Sequence, residues 1–161
     1  MMKSDNKVAV CSRSFSANPI LRKELLERYS DVTFNDKGLK LSGQSLVDFL
    51  KGHKKAITAL EAIDSNVLSR LPDLQVLSKY GVGLDMIDLK AMVRYQKRLG
   101  WTSGVNRRSA SELTLAFIIM MLRFIPAANR EVLSGVWRQH IGGLLSGRNV
   151  GIVGCGNIGK D

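Results

Sequence analysis

The stretch KVAVCSRSFSANPILRKELLERYSDVTF, residues 7–34, contains an apolar run, an amphipathic segment and a second apolar run. The first run, Lys7–Cys11, has the length and composition of a buried strand, and a polar loop follows it. Asn18 suits a helix N-cap and Pro19 suits the first helical position, and apolar residues then recur at helical spacing. With Asp31–Phe34 as the next strand, the stretch predicts a strand–helix–strand unit of the kind that builds parallel sheets.

The same alternation of short apolar runs and amphipathic segments continues to about residue 101. Short links join the segments, and there is neither an internal repeat nor a low-complexity linker. This alternation is typical of a parallel sheet with helices on its faces, so residues 1–101 are predicted to form a doubly wound α/β domain. The further elements predicted are helices at 42–52, 66–71 and 88–96 and strands at 56–60 and 74–78.

Composition restricts the class of protein. The 161 residues are 45% hydrophobic and 24% charged, with a mean hydropathy of −0.01, which excludes a disordered chain and a disulfide scaffold. The most apolar run, Leu113–Leu122, is far shorter than the roughly 20 residues that a bilayer-spanning helix needs. No apolar segment follows the charges at the amino terminus. The sequence therefore predicts a soluble, cytoplasmic protein without a membrane partner, in which Cys11 and Cys155 are reduced.

The net charge of +10 raises the alternative of a nucleic-acid partner. The basic residues are scattered, apart from a denser stretch at 94–108, and aromatic residues are not interleaved with them. No recognised nucleic-acid-binding module is present. The charge is therefore interpreted as a solvated surface, and nucleic-acid binding is the weaker alternative.

A second segment begins at residue 102. Ser109 and Glu112 have the spacing of a capping box, and the helix that they would open is apolar on nearly all faces. We expect that helix to be buried between two layers or at a subunit contact. After a polar connection at 129–146, Asn149–Val153 is predicted to be a buried strand that leads directly into a glycine-rich loop.

That loop is Gly154-Cys-Gly-Asn-Ile-Gly159, and its Gly-x-Gly-x-x-Gly pattern after a predicted strand is typical of a dinucleotide-binding site. Gly154 would permit the tight turn, Gly156 would let the backbone approach a pyrophosphate, and Gly159 would let the next helix pack closely. The alternative is a glycine-rich turn without a ligand. The acidic residue that would bind the ribose, expected about 20 positions later, would fall beyond Asp161.

A second candidate site follows the fourth predicted strand. Gly81 and Gly83 flank Val82, and backbone N–H groups in this arrangement could form a small nest for a carboxylate. Ligands of open parallel sheets bind outside the carboxyl ends of the strands. The alternative, equally supported by this segment alone, is a strand-to-helix turn with Asp88 as the N-cap. Asp85 is interpreted as a turn residue.

The two histidines, His53 and His140, lie in polar contexts with no adjacent carboxylate, and both are predicted to be solvated. No Ser-His-Asp set, carboxylate pair or Cys-His pair stands out in the sequence. The cysteines do not have the spacing of metal ligands. The residues therefore predict no metal site.

Three motifs occur together and in order: YGVGLDMID at 80–88, GVNRRSASELTL at 104–115, and the glycine loop with its predicted strand at 149–159. From about Lys7 to the last residue, the chain resembles the amino-terminal half of the D-isomer-specific 2-hydroxyacid dehydrogenases. The resemblance implies a flavodoxin-like substrate domain at 1–101. It also implies, at 102–161, the truncated start of a Rossmann domain that binds NAD or NADP. The helix after Ser109 would open this second domain and contribute to a dimer contact.

The resemblance also implies roles for individual residues. The backbone amides of Val82 and Gly83 would meet the substrate carboxylate, with Val82 beside the nicotinamide. The cofactor pyrophosphate would contact the glycine loop at Gly154, Gly156, Asn157, Ile158 and Gly159. The Arg, Glu and His that are catalytic in the family would lie beyond this chain, so no catalytic residue is expected within it.

The function that the resemblance implies is hydride transfer between NAD or NADP and a small 2-hydroxy or 2-keto acid, in a homodimer. This chain alone is expected to be inactive and to bind the cofactor weakly. The alternative is a non-catalytic interaction or small-ligand-binding module that derives from a truncated paralogue. A basic nucleic-acid binder is a weaker alternative.

Overall fold

The computed structural model describes residues 6–161, which form two compact units. The first unit extends to Ser103, and the second comprises Gly104–Asp161. The sequence places this boundary two residues earlier, between residues 101 and 102. The first unit contains a parallel sheet with its helices, and the second contains two helices and irregular chain.

The sheet of the first unit has five parallel strands in the order β2-β1-β3-β4-β5. From β1 the chain adds β2 on one side and then crosses back to build β3, β4 and β5 on the other. This is the flavodoxin-like order, and the predicted doubly wound α/β fold is confirmed. The strands are β1 Val8–Val10, β2 Val32–Phe34, β3 Lys55–Thr58, β4 Val76–Lys79 and β5 Arg98–Gly100, and the helices are α1 Arg13–Ala17, α2 Pro19–Arg28, α3 Gly43–Leu50, α4 Ser65–Ser69 and α5 Leu89–Arg94.

Apolar side chains of the first unit form two core clusters. The larger includes Leu46, Leu50, Leu68 and Leu77 from α3, α4 and β4, none of them more than 1% exposed. The smaller joins β1 to α1 and α2, where Leu25 is buried. Burying an aliphatic side chain of this size contributes roughly 1.5–3 kcal/mol. This burial stabilises the sheet, from whose carboxyl edge the loops of the first unit extend.

Side-chain hydrogen bonds confirm two predicted helix caps. Asn18 Oδ1 accepts hydrogen bonds from the amides of Ile20, at 3.0 Å, and Leu21, at 3.2 Å, at the start of α2. Asp88 Oδ1 accepts a hydrogen bond from the amide of Ala91, at 2.9 Å, at the start of α5. Each cap satisfies amide groups that have no partner within the helix.

Two elements of the first unit differ from the prediction. The segment predicted to be a polar loop contains α1, which Ser12 caps by accepting a hydrogen bond from the Phe15 amide at 3.2 Å. β5 is an additional strand with the sequence Arg-Leu-Gly, too short and too polar to be recognised by pattern. It forms because β4 supplies a hydrogen-bonding partner, with Ser78 opposite Gly100.

The second unit contains α6 (Arg107–Leu122) and α7 (Ile125–Leu133), and its other residues are irregular. α6 begins directly after Asn106, before the residue expected to cap it, so the predicted capping box at Ser109 is wrong. α7 extends into the predicted polar connection. Within the described unit only α7 packs substantially against α6 and none of its residues is buried, so burial between two layers is not observed, while burial at a subunit contact stays a prediction.

The prediction of a strand at Asn149–Val153 is wrong as well. These residues are irregular and exposed, and Val153 is fully exposed. A parallel strand needs neighbours whose amide and carbonyl groups pair with its own. The described part of the second unit contains no strand, so residues 149–153 have no neighbouring strand to pair with.

Among residues 6–161, no helix is by itself long and apolar enough to cross a bilayer. α6 and α7 meet the criteria of length and composition only as a pair, across a bend of 66°.

Candidate functional site

The glycine loop has backbone features that suit a phosphate cradle. Gly154 has a φ of +91°, in the left-handed region that favours glycine. A β-carbon on Gly159 would lie 2.5 Å from the Gly154 carbonyl oxygen, so the packing there requires glycine. A β-carbon on Gly156 would have no neighbour within 4 Å, which leaves space for a ligand beside the backbone. The three glycines therefore fit a pyrophosphate-binding loop.

The loop ends in a hydrogen-bonded turn. The Lys160 amide donates a hydrogen bond to the Gly156 carbonyl, and the Asp161 amide donates one to the Ile158 carbonyl, both at 3.1 Å. Asn157 and Ile158, which the family resemblance assigns to the cofactor pyrophosphate, lie within this turn. Backbone amides in such a turn can donate to an anion.

The side chain of Asp161 joins the glycine loop to the start of α6. Its Oδ2 accepts a hydrogen bond from Ser111 Oγ at 2.7 Å and lies 3.1 Å from Arg108 Nε. Its Oδ1 lies 3.4 Å from Arg107 Nε. The Ser111 hydrogen bond and then the two arginine charges lower the pKa of the Asp161 carboxyl, against the opposing effect of desolvation. No local pattern indicates this contact, because fifty positions separate Ser111 from Asp161.

The loop after β4 holds the second candidate site. Gly81 has a φ of +119°, and a β-carbon on Gly83 would lie 3.4 Å from Asp85 Oδ2. The indole Nε1 of Trp101 donates a hydrogen bond to the Val82 carbonyl at 2.9 Å. Because a trans peptide is planar, this bond orients the Val82–Gly83 peptide with the Gly83 N–H directed away from the indole.

The backbone amides of Val82 and Gly83 make no hydrogen bond to any group that the structure describes. They are therefore available to a ligand, while Asp88 caps α5 as the alternative interpretation requires. The two interpretations of this segment are compatible. Sequence reasoning did not find Trp101, since it lies 19 positions after Val82 and belongs to no recognisable site pattern.

Both histidines are half-buried, which corrects the prediction that they are solvated. His53 Nε2 lies 3.0 Å from Thr33 Oγ1, and its Nδ1 is buried without a partner in the described part of the chain. His140 Nε2 lies 2.6 Å from Glu131 Oε2, and its ring stacks on Phe124 at a centroid distance of 5.8 Å. The carboxylate belongs to Glu131 on α7, nine positions before His140, so the residues adjacent to His140 do not indicate this contact.

Both cysteines are free thiols. Burial, with a smaller contribution from the charge of Glu61, raises the pKa of the Cys11 thiol well above its usual range. Cys155 is exposed within the glycine loop. Across residues 6–161, no group of three or more His, Cys, Asp or Glu side chains is arranged to hold a metal ion.

Comparison with known proteins decides the family. A family model of the D-isomer specific 2-hydroxyacid dehydrogenase catalytic domain matches residues 8–150. The chain belongs to the D-isomer-specific 2-hydroxyacid dehydrogenases. The resemblance carried by the three motifs is thereby confirmed. Among curated dehydrogenases of this kind, a glyoxylate/hydroxypyruvate reductase of Arabidopsis thaliana is 33% identical over 155 residues, which cover 84% of this chain and 48% of that protein.

Solved dehydrogenase structures have the same fold. A Polaromonas sp. JS6 66 protein assigned to the NAD-binding D-isomer specific 2-hydroxyacid dehydrogenases gives a TM-score of 0.84 at 26% identity, over 98% of this chain and 50% of that one. The 3-phosphoglycerate dehydrogenase of Entamoeba histolytica, with NAD+ bound, gives a TM-score of 0.70 at 21% identity, over 98% and 49% of the two chains. The chain spans about half the length of these dehydrogenases.

Proposed function

We propose that this chain supplies the substrate-binding part, and the start of the nicotinamide-binding part, of an oxidoreductase that interconverts a small 2-hydroxy acid and a 2-oxo acid. The observation that carries the proposal is the family match over residues 8–150. The geometry of the glycine loop supports it independently, because its three glycines fit a pyrophosphate. NAD or NADP, when bound, supplies the hydride chemistry at its nicotinamide ring.

The loop after β4 binds and orients the acid in this proposal. The unpaired amides of Val82 and Gly83 donate to the substrate carboxylate, and Trp101 holds the peptide between them in place. A hydrogen bond to a charged group contributes about 1.5–3 kcal/mol. As the family resemblance implies, we also assign Val82 to the contact with the nicotinamide.

The glycine loop holds the cofactor pyrophosphate through the backbone of Gly154–Gly159. Neither His53 nor His140 occupies a position that matches the catalytic histidine of the family. We therefore place the catalytic Arg, Glu and His outside these 161 residues. This chain positions the reactants, while proton transfer belongs to groups that it does not contain.

The proposal is tested by titrating the 161-residue protein with NADH and NADPH while recording amide NMR shifts. We expect weak binding, with a dissociation constant of roughly 0.1 mM or weaker, because the chain carries the phosphate loop without a ribose-binding acid. The shifts should centre on Gly154–Gly159. The variant Gly156→Ala should weaken binding at least about fivefold, because the added methyl group occupies space open to a phosphate.

Gly151→Ala is the matched control, since a β-carbon there also has no neighbour within 4 Å and the residue lies outside the loop. Its affinity should be unchanged. A dissociation constant of about 1 μM or tighter would contradict the proposed incomplete site. Equal effects of the two alanine variants, or shifts that avoid the loop, would show that the glycines do not bind the cofactor.

A further inference from the structure

Basic side chains collect at the amino edge of the sheet in the first unit. Because the strands are parallel, each link from a helix to the next strand lies at this edge. The amino edge comprises Lys7, directly before β1, and four segments that each run from the end of a helix into a strand, residues 28–32, 51–55, 70–76 and 94–98. Each segment contains at least one lysine or arginine. The topology of the sheet therefore brings together cations that are scattered in the sequence.

Backbone hydrogen bonds set the spacing along this edge. The Lys54 amide donates to the Lys7 carbonyl at 3.1 Å, and the Gln75 amide donates to the Lys54 carbonyl at 2.8 Å. The Arg98 amide donates in turn to the Gln75 carbonyl at 2.9 Å. These four residues therefore lie side by side at the starts of β1, β3, β4 and β5, and neighbouring strands are about 4.8 Å apart. The result is a row that carries a cation at three of its four positions.

Several cations of the amino edge have no partner. Lys51, Lys54, Arg94 and Arg98 are exposed, and their side chains form no ion pair or hydrogen bond within residues 6–161. A cation at the carboxyl end of a helix stabilises that helix, which gives Lys51 and Arg94 a structural role after α3 and in the last turn of α5. Lys54 and Arg98 lie at the starts of strands, so the helix dipole does not explain them.

Little negative charge offsets these cations. The acidic residues of the amino edge are Asp31, whose Oδ2 lies 3.7 Å from Lys7 Nζ, and Asp73. The links from strand to helix, at the opposite edge of the sheet, have the reverse balance, with two lysines, Lys37 and Lys40, against Asp36, Glu61, Asp64, Asp85 and Asp88. The first unit thus has a positive edge and a negative edge, and a positive edge attracts a polyanion.

We propose that the amino edge binds the phosphate backbone of a nucleic-acid duplex, without reading its sequence, through Lys51, Lys54, Arg94 and Arg98. A duplex carries one negative charge per about 1.7 Å of its length, so several cations in a row can contact phosphates together and release condensed counterions. The guanidinium groups of the two arginines can each donate two hydrogen bonds to one phosphate.

The apolar surface of the amino edge favours a duplex over other polyanions. None of its described residues is an exposed large apolar or aromatic side chain. A single strand is usually held by stacking its bases on aromatic residues, and a membrane surface by inserted apolar residues. A duplex needs neither, because its bases stay stacked. The amino edge lies opposite the proposed substrate loop, so the proposal does not depend on hydride transfer.

The test is a titration of a fluorescently labelled duplex of about 20 base pairs with the 161-residue protein, followed by anisotropy at about 50 to 200 mM salt. We expect a dissociation constant of about 10 μM or tighter at the lowest salt, for DNA and RNA duplexes alike. Four phosphate contacts predict that the logarithm of the association constant falls against that of the salt concentration with a slope of about −3.6. Lys54→Gln combined with Arg98→Gln should weaken binding at least about tenfold and bring the slope to about −1.8.

The matched control combines Arg13→Gln with Lys37→Gln, which change the same residue types and the same net charge. Both side chains are exposed, form no ion pair within residues 6–161 and lie towards the opposite edge, at the start of α1 and after β2. This control should stay within about twofold of the unsubstituted protein, with the slope unchanged. Lys51→Gln combined with Arg94→Gln alters no strand and should reproduce the loss.

Equal losses in the control and in the Lys54/Arg98 variant would reduce the effect to non-specific attraction and overturn the proposal. Absence of binding at about 100 μM protein and the lowest salt would also overturn it. Tighter binding to polyglutamate would assign the edge to an acidic protein instead. Tighter binding to anionic vesicles or to the single strand would likewise contradict a duplex as the partner.

Discussion

Each unit of the protein contains one free cysteine, whose reactivity reports on its surroundings. Cys11 lies at the end of β1 with no exposed surface, and burial raises the pKa of its thiol. Its thiolate, the form that reacts, is therefore scarce. Cys155 is exposed in the glycine loop, directly between Gly154 and Gly156. The two thiols should consequently react at very different rates.

We expect one thiol per native chain to react rapidly with an aromatic disulfide reagent, and both thiols to react in denaturant. The variant Cys155→Ser should lose the fast reaction and keep the slow one. Stopped-flow absorbance measures both phases. Two fast thiols in the native protein would contradict the burial of Cys11.

At the scale of residues, the sequence predicts local contacts and misses distant ones. The caps at Asn18 and Asp88 were predictable because a cap and the amides it binds are at most three positions apart. The bond from Trp101 to Val82 and the bond from Ser111 to Asp161 were not, because they span 19 and 50 positions. Such contacts depend on how the chain folds back, which no short motif encodes.

At the scale of elements, whether a strand forms depends on whether a neighbouring strand is present to pair with it. β1 to β4 were predicted because each is a short run with apolar residues, and each has a neighbour to pair with. β5 lacks such a run and exists through its pairing with β4. Residues 149–153 have the apolar run but no neighbouring strand in the described second unit. Sequence pattern thus reports the tendency to form a strand, and pairing decides whether the strand forms.

α6 and α7 expose several large apolar side chains, and exposed apolar surface promotes association. We propose that the protein forms dimers or larger species through these helices. Light scattering at micromolar concentration should give a mass of at least twice 17.8 kDa. A monomeric mass would contradict this proposal.

A matched pair of variants assigns the contact to these helices. Leu133 on α7 and Val93 on α5 are each 79% exposed. Leu133→Glu should shift the protein towards the monomer, because a buried carboxylate without a partner is unfavourable in an apolar contact. Val93→Glu should leave the mass unchanged. The reverse pattern would place the contact on the first unit.

For the whole molecule, the fold class could be predicted because alternating strands and helices leave few topologies open. The candidate sites could be predicted only as motifs. Glycine spacing indicated the loop at 154–159, but its close packing at Gly159 and its link to α6 required the structure.

We propose that this chain acts as part of an enzyme that reduces a 2-oxo acid with a nicotinamide cofactor. The most direct measurement is the rate at which the protein, isolated from its own cells, oxidises NADH or NADPH with glyoxylate or hydroxypyruvate. We predict oxidation that requires the 2-oxo acid and accompanies a polypeptide heavier than 17.8 kDa. A native polypeptide of 17.8 kDa that oxidises neither cofactor would contradict the account.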